Sequence, residues 1–168
     1  RGIGRQIAIT LGREGAAVIV NYNGSAAKAE EVVKEIEAAG GKAEAVQCNV
    51  SDFESCGRMM ADVVSRYGRL DILVNNAGNH CKKYIEDMTV EDYKRVLEVH
   101  LVGSFAMTKA VVPYMKEQKR GRIIYQASMT SYIGQPQVSG YSTAKAGFLG
   151  LIHTLTAELA EYGVTVNA

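Results

Sequence analysis

Apolar and polar positions along this chain switch period again and again, and the switching is regular. Ile7, Ile9 and Leu11, followed by a stop signal at Gly15, predict a helix over 3–14. The run Ala-Ala-Val-Ile-Val-Asn-Tyr predicts a strand over 16–22. A helix follows over 25–39, ended by Gly40-Gly41. Further strands are expected at 43–48, 70–75, 121–127 and from Val164, with helices at 52–67, within 89–119 and at 140–161. Short strands alternating with longer helices mean βαβ units: an α/β fold, with a doubly wound parallel sheet between two helical layers. Such sheets bind ligands at the carboxyl ends of their strands. The residues with the most suggestive chemistry fall there.

Tyr141 and Lys145 stand in the run Ser139-Gly-Tyr-Ser-Thr-Ala-Lys-Ala-Gly147. Four residues apart on a helix, they share one face. A phenol has a pKa near 10 and exchanges protons poorly at neutral pH. An ammonium about 4 Å away, at an effective dielectric of ~20, favours the phenolate by up to ~4 kcal/mol. That brings a tyrosine toward the range of a working acid or base. Ser128 follows the apolar run Gly121-Arg-Ile-Ile-Tyr-Gln-Ala127, read as a buried strand. A hydroxyl at a strand end can donate to a carbonyl oxygen that the tyrosine protonates. Ser131 and Ser142 are rivals for that role, since serines at loop openings also form turns. Leu70-Asp-Ile-Leu-Val-Asn-Asn-Ala-Gly78 is another apolar strand, ending in small and amide residues that let a flat ring approach the backbone. Arg1-Gly-Ile-Gly4 opens a helix, where exposed N–H groups and the helix dipole suit a phosphate.

Together these elements resemble the short-chain dehydrogenase/reductase family, over nearly the whole chain. The match comprises Gly2 and Gly4 as the end of a Thr-Gly-x-x-x-Gly-x-Gly loop, Asn-Asn-Ala-Gly at Asn75 to Gly78, and Ser128, Tyr141 and Lys145 at the family's spacing. The resemblance implies a single Rossmann-like dinucleotide-binding and catalytic domain over 1–168. It implies hydride transfer between a nicotinamide cofactor and a carbonyl or secondary alcohol. Tyr141 would be the acid/base, Lys145 would hold the nicotinamide ribose and lower the tyrosine pKa, and Ser128 would orient the substrate carbonyl. Asn76, Ala77 and Gly78 would line the cofactor, with Gly2 and Ile3 at its phosphates. The family continues beyond both ends of this sequence, with a first strand before Arg1 and a substrate loop and last strand after Ala168. A longer enzyme is therefore expected, and an intact mass of 18.2 kDa would contradict that expectation.

NAD enzymes usually place an acid after the second strand, on the adenosine ribose. Here that position is Asn21, followed by Tyr22, Asn23, Gly24 and Ser25, so no carboxylate repels a 2′-phosphate. A basic residue before the second loop glycine marks the family's NADP users, and Arg1 matches it with a group suited to phosphate. NADP is expected, with NAD as the alternative. Asn49 and Val50 match the positions that contact adenine.

One residue departs from the family. Its long helix carries an Asn that acts mainly through its backbone carbonyl, and Val99-His-Leu-Val-Gly103 puts His100 there. Either His100 is a packed helix residue, or it alters the proton relay, since histidine titrates near pH 6.5.

The substrate is expected between the 79–88 and 129–139 loops, where Lys82 and Lys83 either attract an anion or are merely solvated. Ser128-Met-Thr-Ser131 with Pro136 and Val138 resembles sugar-acid and polyol dehydrogenases of the family. Arg1 and Asn21-Tyr22 look more like its 3-oxoacyl-(acyl carrier protein) reductases. A dinucleotide sensor without chemistry is the rival class, although such sensors typically lose the Tyr or Lys.

Composition narrows the reading further. With 47% hydrophobic residues in 168, one core is affordable, and a net charge of +1 gives no electrostatic case for nucleic acid. Cys48, Cys56 and Cys81 lack metal-type spacing and read as thiols in a reducing compartment. No apolar stretch is expected to reach the ~18 residues of a membrane helix, and no signal peptide is visible, so a cytoplasmic enzyme is expected. By resemblance alone it would be a homotetramer or homodimer, with helix pairs packing between subunits.

Overall fold

The computed structural model describes residues 2–168, so Arg1 and its expected phosphate contact lie outside the described residues. Contacts divide the chain into two compact units, the first ending at Asn49 and the second spanning Val50–Ala168.

The first unit runs α1 (Gly2–Arg13), β1 (Ala17–Tyr22), α2 (Ala26–Ala38) and β2 (Lys42–Gln47). Its two strands pair in parallel from Ala17↔Lys42 to Tyr22↔Gln47. A parallel pair needs a crossover, and α2 supplies it. The apolar stripes of both helices meet the sheet in one cluster: Ile9, Val18, Val32 and Ile36, flanked by Ala8, Leu11, Ala16, Val20 and Ala43. Gly40, at φ +83, makes the turn out of α2 in a conformation that a Cβ would strain.

In the second unit, α3 (Phe53–Tyr67), β3 (Ile72–Asn75), α4 (Val90–Leu97), α5 (Gly103–Gln118), β4 (Gly121–Tyr125), α6 (Ser139–Leu159) and β5 (Val164–Asn167) follow in order. Asp52 caps α3 by accepting from Ser55 N–H at 3.1 Å, and Gly68 ends it in the left-handed region. Thr89 caps α4 by accepting from Asp92 N–H at 3.1 Å. The sheet order is β3-β4-β5, all parallel, with Leu73↔Ile123 and Ile123↔Val166 in register.

The elements anticipated from periodicity are all present, with boundaries within about two residues. One detail differs. The strand 121–127 reads as buried on both faces, yet β4 alternates: Gly121, Ile123 and Tyr125 are buried while Arg122 and Ile124 are exposed. Two isoleucines in sequence mask this alternation, because position, and not residue type, decides which face is covered.

A second difference concerns the long helix. Residues Val90–Gln118 form a helical run of 29 residues, and an 18-residue window within it, with a mean hydropathy of 1.3, meets the length and composition of a membrane span. The expectation that no stretch would reach that length was wrong by this measure. Its apolar side chains are used within the unit: Val96, Ala106, Met107, Val111 and Met115 are buried. A buried core helix and a membrane span share this composition. The run is interrupted at Glu98–Val102 by a π turn. Such bulges aim side chains that a regular helix would place elsewhere, and they recur at functional sites.

Candidate active site

β3 and β4 end side by side, and the chemistry collects beyond their carboxyl ends. Asn75 closes β3, and its carbonyl accepts from Gln126 N–H at 2.9 Å, which keeps the strand exits together past the ladder. Beneath them Asn75 Nδ2 donates to Thr108 Oγ1 at 3.2 Å, and Thr108 Oγ1 lies 2.6 Å from the Tyr125 hydroxyl. All three residues are buried, so this polar chain satisfies groups that would otherwise cost ~1–3 kcal/mol each. Burial pushes the Tyr125 hydroxyl up to about 12, which keeps it neutral and structural.

Lys145 is the buried cation of this end. It lies nearly two turns into α6, 3% exposed, and Nζ donates to the Gln126 carbonyl at 2.5 Å. Nζ also sits 5.3 Å from the centroid of the Tyr141 ring and 4.8 Å from that of Phe148. No carboxylate pairs with it among the described residues, and burial pulls its pKa down to about 8. A buried cation held by a carbonyl and two ring faces is short of a counter-charge. Tyr141, half-buried, stacks its ring against two histidines: His100 at 5.3 Å, edge-on at 86°, and His80 at 5.6 Å, tilted by 33°.

His100 is 4% exposed and comes from the π turn. Its Nε2 lies 2.8 Å from the Asn79 carbonyl oxygen and 3.1 Å from the Asn79 amide nitrogen, while Nδ1 is buried with no partner. Its imidazole also fills the space where a Cβ on Gly78 would go. Gly78 is therefore fixed as glycine by a neighbouring ring and not by its backbone angle. Burial first, then the charges of Lys145 and His80, hold His100 below its ordinary pKa, partly offset by the Asn79 carbonyl. Sequence reading flagged the position but had no signal for Asn79, whose peptide takes both contacts.

Ser128 leads from β4 into a 3₁₀ turn, Met129–Ser131, which packs on α6. Its Oγ accepts from Thr130 N–H at 3.2 Å and from Thr130 Oγ1 at 3.0 Å. The rivals Ser131 and Ser142 have Oγ atoms sealed from solvent without any hydrogen bond. Ser128, Tyr141 and Lys145 thus share the junction of β4 and α6. Asn76, Ala77 and Gly78 leave β3 into the same region, with Ala77 and Gly78 exposed.

Of the remaining cofactor candidates, Gly2, Ile3, Asn21 and Asn49 belong to the first unit and Val50 to the second. Gly2, at φ +58, and Ile3, 60% exposed, open α1. Asn21 is within β1, and its Nδ2 donates to the carbonyls of Val46 at 3.3 Å and Cys48 at 3.0 Å. Its amide therefore ties β1 to the exit of β2. Asn49 is exposed; Val50 is buried. Of the loop lysines, Lys83 is engaged: its Nζ pairs with Asp92 at 2.6 Å, and Arg95 pairs with the same carboxylate at 2.7 Å. The Lys83 hydrogen bond holds the Asp92 carboxyl down at about 2. Lys83 N–H also donates to the Gln137 carbonyl at 3.0 Å, which ties the 79–88 loop to the 129–139 loop.

One feature of the described residues fits a dinucleotide: Lys145, a buried cation with no carboxylate paired to it among them.

Comparison with known proteins agrees. The short chain dehydrogenase family profile matches residues 1–168. A 3-oxoacyl-[acyl-carrier-protein] reductase of Synechocystis sp. is 43% identical over 168 residues, which is all of this chain and 68% of the relative. The enzyme of the same name from Staphylococcus aureus is 42% identical over the same span and share. A metagenomic short-chain oxidoreductase, solved in complex with NADP, superposes with a TM-score of 0.94 at 32% identity, over 99% of this chain and 75% of that one. The Rossmann-like α/β fold follows, and the chain belongs to the short chain dehydrogenase family of oxidoreductases.

Proposed function

We propose that this protein reduces a 3-oxoacyl thioester, with NADPH as hydride donor and Tyr141 as proton donor. The observation that carries the chemistry is Lys145: a buried ammonium, unpaired by any carboxylate among the described residues, under the Tyr141 ring. Tyr141 would give its proton to the carbonyl oxygen as that oxygen becomes an alkoxide. Ser128 would donate a hydrogen bond to the same oxygen and fix its position. Lys145 would compensate the charge left on the phenolate.

Bound NADPH supplies the hydride to the carbonyl carbon. Gly2 and Ile3, with Arg1, are assigned to its phosphates, Asn21 and Asn49 to its adenosine end, with Val50 against the adenine. Asn76, Ala77 and Gly78 would line the nicotinamide half, with Tyr141 and Lys145 on its ribose. The engaged amide of Asn21 leaves the 2′-phosphate to Arg1 in this assignment. Preference for NADP over NAD rests on the missing carboxylate after β1 and on the NADP-bound structural relative.

The thioester reading rests on the names of relatives at 42–43% identity, among them the two above. A cytoplasmic homotetramer or homodimer is part of the same proposal. A panel of a 3-oxobutanoyl thioester, a sugar acid and a polyol, each with NADPH/NADP and NADH/NAD, tests it. Turnover of the thioester with NADPH is expected. Preference for the sugar acid or polyol would refute the substrate assignment, and cofactor binding without turnover would favour a sensor.

A further inference from the structure

We propose that Thr130 is a positioning residue that sets the direction in which the Ser128 hydroxyl points its proton. This rests on Ser128 acting on the substrate carbonyl, as proposed above. A serine hydroxyl has one proton to donate and two lone pairs to accept with. Ser128 is extended, at φ −154 and ψ 153, and its Oγ receives two donors from one residue: Thr130 N–H at 3.2 Å and Thr130 Oγ1 at 3.0 Å. The amide can only donate, so one lone pair is committed.

The hydroxyl pair could in isolation run either way, with Thr130 donating to Ser128 or the reverse. A substrate carbonyl removes the choice, because it accepts and cannot donate. The one arrangement that satisfies every group is Thr130 O–H to Ser128 Oγ, and Ser128 O–H to the carbonyl oxygen. Both lone pairs of Ser128 are then filled and its proton is directed outward. Consecutive hydrogen bonds of one polarity also strengthen each other, so the donor becomes more acidic as charge builds on the carbonyl oxygen. The 3₁₀ turn that carries Thr130, with Ser128 as its N-cap, packs on α6, the helix of Tyr141, so the pair is held against the element that also positions the proton donor. Thr130 touches Ser128 and needs no contact with substrate.

A double-mutant cycle with steady-state kinetics on the best substrate of the panel tests this. Thr130→Val keeps the shape and removes the hydroxyl; Thr130→Ser keeps the hydroxyl. Thr130→Val is expected to lower kcat about 5- to 20-fold with KM and NADPH affinity unchanged, and Thr130→Ser to stay within about 2-fold of the parent. In a Ser128→Ala background, Thr130→Val should have no further effect. Thr130→Ala serves as the second hydroxyl-free variant should valine disturb the turn, and melting curves of each variant report folding. An equal loss from Thr130→Val with and without Ser128, a loss in Thr130→Ser as large as in Thr130→Val, or no loss at all overturns the inference while leaving Ser128 in place. Full activity of Ser128→Ala alone overturns the role of Ser128 itself, and the inference with it.

Discussion

His100 and Asn79 are joined through a single ring nitrogen: Nε2 lies within hydrogen-bond distance of both the carbonyl oxygen, at 2.8 Å, and the amide nitrogen, at 3.1 Å, of one residue. Each contact requires the opposite tautomer, and neither tautomer finds a partner for the buried Nδ1. The ring serves as a wedge that holds the exit of β3 and braces Tyr141.

The wedge predicts the pH behaviour of this position. Burial holds the folded-state pKa of His100 below its ordinary 6.5. The unfolded chain then binds more protons as pH falls, so His100 contributes stability that is complete above pH 6.5 and lost below it. At neutral pH the ring is uncharged and relays nothing by titration. His100→Asn is expected to cost about 1–3 kcal/mol of stability and to leave the acidic limb of the kcat/KM profile in place. A displaced limb in pH-rate measurements would restore the proton relay.

Gly78 and His100 form a steric pair, since the ring occupies the place of an absent Cβ. Gly78→Ala is expected to destabilise by about 1–3 kcal/mol through overpacking. Paired with His100→Ala, which vacates the space, its added cost should shrink to a few tenths of a kcal/mol. Urea melts of the four proteins in that cycle measure the coupling. Additive losses would mean that the close approach does not matter.

Lys145 predicts a conflict between stability and function. Its folded pKa of about 8 lies below the ordinary 10.5. Between those values the unfolded chain binds the extra proton, so cofactor-free protein should gain stability as pH rises through the window, by of order 3 kcal/mol. Lys145→Met should flatten that rise and match or exceed the parent below pH 8, despite leaving the Gln126 carbonyl without its donor. Activity should fall sharply in the same variant. Melting temperature against pH for both proteins, without cofactor, is the measurement. A parent curve that is flat or falls with pH across the window would show that Lys145 has a counter-charge.

Much of this was legible in the residues. The alternation of period located every element, because βαβ units must switch between 2 and 3.6 residues per repeat. Tyr141 and Lys145 share a face because helical geometry allows nothing else at that spacing. Three serines compete for one role by sequence, and the sealed hydroxyls of Ser131 and Ser142 show only in the fold. The role of Asn79 was hidden, since a peptide group carries no side-chain signal. Asn21 lies in β1, inside the strand expected over 16–22, and what its sequence did not show is that its amide is spent on the carbonyls of Val46 and Cys48. Lys83 was read as an anion attractor or a solvated charge. It is paired instead, because α4 returns Asp92 to it, and a pairing nine residues away between loop and helix has no fixed period.

The central claim is that Tyr141 delivers the proton. Tyr141→Phe in the intact protein, followed by NADPH oxidation with the 3-oxobutanoyl thioester and by NADPH binding, tests it most directly. A fall in kcat of about 10²- to 10⁴-fold with cofactor affinity retained is the predicted result. Turnover within a few-fold of the parent would contradict it.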